Sequence, residues 1–241
     1  EWAVKHMCHY RWHYEENLDA ASRRFAKLFV PKAAQKVFGL RTLILNKASK
    51  TFKERMSKRL WVIGSNEVTG ISIEESFKNL IRLLDKHLER RPYIFGNRPS
   101  IADFALWGHI YNANNDPTGF EFIQNHTPKL NDWIDRMIHP KEQGGFEEWH
   151  ELKPTLLPLI KEEISEMFLP WVTANNDAVK NNKDELSITL KGRPFEHKVT
   201  SVQKFHAKSF GLLMEHYKTV SQDQELKKIL VEAGAEGYLN A

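Results

Sequence analysis

The sequence predicts an all-α protein: a helical bundle similar in size to one large domain, followed by a helical extension with a small β-hairpin. Apolar residues recur at helical spacing through most of the 241-residue chain. A Ser-x-x-Asp helix start at residues 100–103 precedes an apolar run. Residues 186–190 alternate in the manner of a strand, ahead of a Lys-Gly turn. With 41% hydrophobic residues, the chain can bury a substantial core.

The helix start at Ser100 is the most strongly specified element of the chain. Ser100 takes the N-cap position and Asp103 follows three residues later, so each side chain can satisfy a backbone N–H at the other position. We expect this capping box to begin a central helix. The residues expected on its packed face are apolar or small and recur at helical spacing: Ile101, Phe104, Ala105, Gly108 and Tyr111 or Asn112.

Helices are also predicted on both sides of the central one. Ser72 and Glu75 form a second candidate capping box. The helix that it would begin carries an apolar stripe of Phe77, Leu80, Ile81, Leu84 and Leu88. Downstream, Thr127-Pro128 is typical of a helix start. The apolar residues of that third helix are Leu130, Trp133, Ile134 and Met137.

These three parts stand in a fixed order: the long helix at 74–91, the capping box after Phe-Gly-Asn-Arg at 95–98, and a Pro-x-Leu-x-x-Trp helix at 128–133. In this order they resemble the C-terminal helical domain of glutathione transferases. The resemblance divides the chain into a glutathione-transferase C-terminal-like helical domain, residues 1–145, and an extension of helices and a short hairpin, residues 146–241. It implies that glutathione is the co-substrate and binds mainly on a separate thioredoxin-like domain.

The marks of that thioredoxin-like domain are not found in this sequence. Val30-Pro31 is the only Val-Pro pair, and it lies between helical segments with no acidic-Ser pair soon after it. We therefore expect the glutathione-binding half to lie outside this chain, and transferase activity to depend on such a domain upstream.

The first helix, predicted over residues 1–14, carries three histidines at helical spacing. Its apolar stripe is expected to be Ala3, Val4, Met7, Cys8 and Tyr14. The adjoining face, expected to be polar and partly exposed or to form a cleft wall, holds Trp2, His6, His9 and His13. No carboxylate accompanies the histidines on that face, so we predict no metal site.

The same helix supplies the candidate substrate-binding residues. In the family that the chain resembles, the first helix of this domain lines the cleft that faces the thioredoxin-like domain. The resemblance implies five candidate residues for the wall of an acceptor-substrate site: Tyr10, Arg11, Tyr14, His6 and His13. Core packing is the alternative for the aromatic residues. Arg11 either pairs with Glu15 one turn on or meets an anionic ligand or an adjoining domain. No catalytic residue is predicted.

Composition limits the other classes of function. The single cysteine, Cys8, excludes an internal disulfide framework and favours a reducing compartment such as the cytoplasm. No apolar run is long enough for a membrane span. The formal charge is +4, and the basic residues gathered at 47–59 are expected to form a solvated helix face, since no nucleic-acid-binding module accompanies them.

In the extension, residues 146–180 are expected to form separate helical pieces because Pro154, Pro158 and Pro170 interrupt them. A hairpin is predicted around 186–192, and two further helices at about 200–218 and 222–233.

Two functions are compatible with these observations. In the first, the chain supplies the helical acceptor-substrate domain of a glutathione S-transferase-like protein that conjugates glutathione to a small electrophilic or apolar substrate. In the alternative, the same bundle is a non-catalytic interaction or scaffold subunit, in a homodimer or a larger assembly. The fold by itself does not choose between them.

Overall fold

A computed structural model describes residues 2–31 and 39–239 of the chain. Its helices are α1 (Trp2–His13), α2 (Glu15–Lys27), α3 (Leu40–Ser57), α4 (Gly70–Leu88), α5 (Ile101–Ala113), α6 (Pro117–His126), α7 (Pro128–Arg136), α8 (Trp149–Leu159), α9 (Leu169–Lys180), α10 (Ser201–Val220), α11 (Gln224–Glu232) and α12 (Glu236–Leu239). A 3₁₀ turn (Leu60–Ile63) follows α3, and a π-helical segment (Ile160–Phe168) joins α8 to α9. The strands β1 (Glu185–Leu190) and β2 (Arg193–Lys198) pair antiparallel. The predicted all-α fold with one hairpin is confirmed.

The capping box at the start of α5 forms as predicted. The Ser100 backbone N–H donates to Asp103 Oδ2 over 2.9 Å, and Ser100 Oγ accepts from the Asp103 N–H at 3.5 Å. The Asp103 side chain does more than cap. Its Oδ1 accepts from the Ile94 N–H at 2.9 Å and from Trp133 Nε1 at 3.0 Å. One buried carboxylate therefore ties the start of α5 to the preceding loop and to α7.

The predicted packed face of α5 is wrong. Ile101 is 87% exposed and Phe104 is 52% exposed, while the buried residues of the helix are Asp103, Ile110 and Ala113. The sequence of α5 is apolar on both sides, so helical periodicity did not distinguish them. The Asp103 carboxylate decides the orientation, because it must point inward to reach its two buried donors.

The bundle core forms around the apolar stripe of α4, as predicted. This first core also receives residues from α1, α5, α6 and α7; its buried members on the predicted stripes are Phe77, Leu80, Ile81, Leu84, Leu88, Leu130, Trp133, Ile134 and Met137. A second core lies between α1, α4 and the extension, where Trp2 and Ile73 pack with Trp171, Phe195 and Phe210. The predicted division at residue 145 stays a prediction.

Helix α4 begins earlier than the predicted capping box. Thr69 is its N-cap residue, and Ser72 lies inside the helix with its side chain buried. The preceding turn is closed by Asn66, whose Oδ1 accepts from the Val68 and Thr69 N–H groups at 2.9 and 3.0 Å. The Ser72–Glu75 box is therefore wrong, because an Asx turn at Asn66 starts the helix before Ser72 is reached.

Two segments are more helical than the sequence predicted. From Trp149 to Lys180 the chain is continuously helical, and the register changes to a π-helix between Pro158 and Pro170. The predicted breaks are wrong: Pro154 and Pro158 lie inside α8, and the π-helical segment continues the helix to Pro170 in the first turn of α9. The turn-forming residues at 112–119 predict a loop, yet Pro117 stands at the first position of α6.

The hairpin and the last two long helices of the extension are confirmed. The sequence of residues 32–63 predicts a helix with a possible interruption at Gly39 and an end near residues 64–66. Lys191 and Gly192 form the hairpin turn with φ values of 47° and 78°, and α10 and α11 occupy the predicted ranges. Gly39, with φ of 80°, precedes α3, while residues 32–38 lie outside the described part of the chain. α3 has no buried residue, which agrees with the predicted solvated face. No helix in the described ranges is long and apolar enough to cross a membrane.

Candidate functional site

Helix α1 is buried on the face that was expected to be partly exposed. Trp2, His6 and His9 are buried and only His13 of that face is exposed, whereas most of the predicted apolar stripe is half-buried. This correction has a physical cause: the buried histidines find hydrogen-bond partners on α4 and on the turn before it.

The side chain of Glu74, on α4, gathers the polar groups at the end of α1. Tyr14 Oη donates to Glu74 Oε1 over 2.6 Å, and His9 Nε2 lies 3.1 Å from the same oxygen. On its other side, His9 Nδ1 lies 2.8 Å from Ser65 Oγ. A chain of hydrogen bonds thus runs from Tyr14 through Glu74 and His9 to Ser65.

The pKa shifts fix the protonation states along this chain. Burial by itself raises the pKa of Glu74, but hydrogen bonds from Tyr14 and His9 outweigh it and hold that pKa below its usual value. Burial lowers the pKa of His9 and raises the pKa of Tyr14. At neutral pH, Glu74 is a carboxylate, Tyr14 is a phenol and His9 is neutral. Glu74 can only accept, so His9 donates from Nε2 and accepts from Ser65 at Nδ1.

Two stacked ring pairs flank the Glu74 carboxylate. Tyr10 and Tyr14 stack with centroids 5.5 Å apart and an interplanar angle of 13°, and His9 stacks on His13 at 4.8 Å and 15°. Tyr10 is buried, and its hydroxyl has no hydrogen-bond partner in the described part of the chain. Tyr14 is half-buried and His13 is exposed. The outer ring of each pair therefore faces solvent, which is a geometry suited to a flat apolar ligand.

Arg11 meets an anion within the chain. Its Nε donates to Asp116 Oδ2 over 2.7 Å, and its Nη2 donates to the Asn112 carbonyl over 3.0 Å. Arg24 also binds Asp116. The expected pair with Glu15 is wrong, since Asp116 at the corner between α5 and α6 is buried and supplies the anion. Arg11 anchors α1 to that corner.

Glu15, the partner first expected for Arg11, pairs elsewhere. It binds Lys53 on α3, and Asp19 accepts from the same ammonium group at 2.8 Å. This contact also gives the basic α3 two carboxylate partners on α2 that the sequence did not indicate.

His6 belongs to a separate network. Its Nε2 lies 3.0 Å from Ser76 Oγ, which also accepts from Trp2 Nε1 over 2.8 Å. Burial lowers the pKa of His6 to about 3, so the ring is neutral. Of the five predicted site residues, the structure brings Tyr10, Tyr14 and His13 together, and it places Arg11 and His6 in other contacts.

The residues that sequence reasoning missed are the acceptors Glu74, Ser65 and Asp116. Each lies more than fifty positions along the chain from the α1 residue that it binds, so no local pattern joins them. The only signal was indirect: a buried arginine or histidine on α1 needs a partner. Cys8 offers no alternative chemistry, because burial raises the pKa of its thiol. No cluster of metal-ligating side chains occurs within residues 2–31 and 39–239.

Comparison with known proteins identifies the domain. Residues 46–136 match the family model described as the C-terminal domain of glutathione S-transferase. The match runs from α3 to the end of α7 and includes the capping box and the α4 stripe. No curated protein and no solved structure matches the chain. Residues 46–136 are therefore similar to the C-terminal domain of glutathione S-transferases.

Proposed function

We propose that this chain supplies the helical acceptor-substrate domain of a glutathione S-transferase-like protein, whose glutathione is held mainly by a thioredoxin-like domain. The observation that carries the proposal is the apolar surface of α5. Ile101 and Phe104 are exposed on a helix whose start is fixed by a buried carboxylate. An exposed apolar helix face next to a rigid anchor is typical of an interaction surface.

The shape of the α5 surface suits the close approach of another domain. Ala105, Gly108 and Tyr111 continue the exposed face along the helix. A Cβ atom added at Gly108 would meet no atom of the described residues within 4 Å, so packing within residues 2–31 and 39–239 does not require the small residue. The match of residues 46–136 to the glutathione S-transferase C-terminal domain supports both a thioredoxin-like partner domain and dimerisation, and we assign the α5 face to the partner domain.

The acceptor wall lies at the end of α1, which packs against α5, and at Tyr14, the N-cap residue of α2. Tyr14 and His13 present ring faces to solvent, and Tyr10 stacks behind Tyr14. In this proposal Arg11 and His6 act from behind the wall: the first holds α1 to the α5–α6 corner and the second holds it to α4. A flat electrophile would stack on the Tyr14 and His13 rings.

In the proposed reaction, the thiolate sulfur of glutathione forms a bond to the electrophilic carbon of the acceptor, and the leaving group departs with the displaced electron pair. This chain contributes positioning rather than thiol activation. Tyr14 remains protonated and donates to Glu74, and Cys8 keeps its proton. The cleft then places the acceptor carbon beside a sulfur that the other domain holds.

The proposal is tested by comparing two ligands on the same chain. Glutathione and its dinitrophenyl conjugate share the amine, the two carboxylates and the amides of the peptide; the conjugate replaces the thiol hydrogen by a flat acceptor ring. We expect the conjugate to bind at least about tenfold more tightly in a calorimetric titration, the margin that one stacked aromatic ring provides. Tyr14→Ala should remove the difference.

Phe205→Ala is the matched control, because Phe205 is an exposed aromatic residue of α10 in the extension. It should leave both affinities unchanged. If the conjugate binds no more tightly than glutathione, the acceptor role is wrong, and the domain serves as a non-catalytic interaction module.

A further inference from the structure

A second candidate site lies on the opposite side of α4 from the first bundle core. A cavity of about 300 Å³ opens where α4, the π-helical segment and the hairpin turn meet. The wall residues that matter for its chemistry are Ser72, Asn79, Arg82, Glu162, Glu163 and Leu190. None of them belongs to the Tyr14–Glu74 cluster, so this cavity is independent of the proposed acceptor wall.

The floor of the cavity holds two carboxylates that share one amide. Asn79 Nδ2 donates to Glu163 Oε1 over 2.8 Å and to Glu162 Oε2 over 2.9 Å. Ser76 Oγ donates to the other oxygen of Glu163. Glu163 is buried, and within the described ranges neither glutamate has a lysine or arginine within ion-pair distance. Lys191 also lines the cavity and acts on Glu163 from beyond ion-pair distance. Two neighbouring carboxylates that make no ion pair favour the binding of a positive group.

The pKa of Glu163 responds to its surroundings. Burial raises the pKa of its carboxyl group, while hydrogen bonds from Ser76 and Asn79 and the charge of Lys191 oppose the rise. A cation placed beside it would favour the ionised form and gain a charge-assisted hydrogen bond. An ammonium group has three donors, which is enough to reach both glutamates and one neighbouring oxygen.

The rim of the cavity carries a positive charge, opposite in sign to the two carboxylates of the floor. Arg82 is exposed and has no carboxylate partner in the described part of the chain. Arg193, also on the rim, is already held by Glu75 at 2.9 Å. A guanidinium that makes no other pair fits a ligand carboxylate in a bidentate arrangement.

Ser72 supplies a second, independent observation that points to a ligand at this cavity. Ser72 lines the cavity and is only 3% exposed. Its hydroxyl has no hydrogen-bond partner in the described part of the chain. Buried hydroxyl groups are nearly always partnered. The walls beside it are apolar, since Met167 and Leu190 are both buried there.

Glu162 and Glu163 also stand in the π-helical segment, Ile160–Phe168. Helical segments of this kind occur frequently at functional sites. The segment sets both carboxylates toward the same amide on α4.

We propose that this cavity binds a small zwitterion of the α-amino-acid type. Its ammonium group lies on Glu162 and Glu163, its carboxylate on Arg82, and an aliphatic or aromatic side chain against Leu190. The cavity volume is at the lower end of the range for ligand pockets, which suits a single amino acid.

The test is calorimetric titration of the full chain with L-leucine, L-methionine and L-phenylalanine. Two analogues of leucine serve as ligand controls: N-acetyl-L-leucine lacks the ammonium group, and isoamylamine lacks the carboxylate. We expect at least one amino acid to bind with a dissociation constant below the millimolar range. Both leucine analogues should bind at least about tenfold more weakly than leucine, the loss typical of one charge-assisted hydrogen bond.

Variants then locate the binding. Arg82→Gln and Ser72→Ala should each weaken the amino acid by about tenfold or more. Glu162→Gln should do the same and avoids the buried Glu163. Arg90→Gln, at an exposed arginine just after α4, is the matched control and should leave the affinity unchanged.

Three results would overturn the proposal. The first is that none of the three amino acids binds at millimolar concentration. The second is that the analogues bind as tightly as leucine itself. The third is that Arg82→Gln, with an unfolding curve like that of the parent chain, leaves the affinity unchanged.

Discussion

Asp103 should contribute far more to stability than Ser100, although the two residues form one capping box. Asp103 is fully buried and accepts from Ser100, from the Ile94 N–H and from Trp133 Nε1. Asp103→Ala leaves the last two donors buried without an acceptor, at about 1–3 kcal/mol each, and also removes the cap, at about 0.5–2 kcal/mol. We expect a loss of about 3–7 kcal/mol in the free energy of unfolding.

Ser100→Ala should lower the free energy of unfolding by about 0.5–2 kcal/mol. Its Oγ accepts from the Asp103 N–H over a long 3.5 Å and donates to Asp103 Oδ2 over 2.7 Å. Asp103 Oδ2 keeps the Ser100 backbone N–H as a donor in this variant, so the cost stays within the range of a lost cap. Asp103→Asn keeps an oxygen for Ile94 and Trp133 but loses the acceptor for the Ser100 N–H, so it should fall between the two alanine variants.

Urea unfolding of the three variants, followed by circular dichroism, measures these differences. The free energy of unfolding of a domain is only about 5–15 kcal/mol, so Asp103→Ala can unfold the chain. In that case Asp103→Asn and Ser100→Ala are compared with each other. A Ser100→Ala variant as unstable as Asp103→Asn would refute the reasoning, because it would mean that the cap, and not the buried carboxylate network, holds α5.

Three further predictions concern contacts around α1 and α5. Arg11→Met should lower the free energy of unfolding by about 2–4 kcal/mol, because it removes one buried partner of an ion pair. Arg24→Met removes a more exposed partner of the same carboxylate and should lower the free energy of unfolding by less than about 1 kcal/mol. The pKa of His6 is about 3 in the folded chain and about 6.5 in the unfolded chain. The contribution of the neutral His6 ring to the free energy of unfolding is therefore fully present above about pH 6.5 and is lost as the pH falls toward 3. His6→Gln should reduce this fall in urea unfolding measured across that pH range, and His13→Gln should not. Gly108→Ala should raise the free energy of unfolding by about 0.5–1 kcal/mol, because the position is helical and has room for a methyl group. The measurement is the thermal midpoint, which should rise.

Each of these predictions has a result that contradicts it. An Arg11→Met variant as stable as the parent would mean that the buried pair does not anchor α1. Equal pH dependence in the His6→Gln variant and the parent would mean that His6 is not held neutral. A lower midpoint for Gly108→Ala would mean that this face of α5 is already packed.

The sequence predicted elements well where one local signal dominates. The stripe of α4 and the Lys191-Gly192 turn were identified because their periodicity and turn residues admit a single structure. The face of α5 was predicted wrongly because that helix is apolar all round, and its orientation depends on the partners of Asp103 at Ile94 and Trp133. Those partners lie in other elements, so no local pattern contains them.

The candidate site, too, was predicted only where the signal is local in the sequence. The sequence singled out the aromatic and basic residues of α1, and the structure groups Tyr10, Tyr14 and His13 among them. It did not indicate Glu74, which organises the cluster from more than fifty residues away. The buried face of α1 was also predicted wrongly, because histidine is polar by composition yet buries readily once it is neutral and hydrogen-bonded.

The measurement that tests the central claim most directly is the paired titration with glutathione and its dinitrophenyl conjugate, repeated in the Tyr14→Ala and Arg82→Gln variants. We predict that the conjugate binds more tightly than glutathione, that Tyr14→Ala abolishes this difference, and that Arg82→Gln leaves it intact, since the cavity beside α4 is a separate site. Micromolar binding of glutathione itself, with no added affinity for the conjugate, would contradict the assignment of this chain as the acceptor-substrate domain.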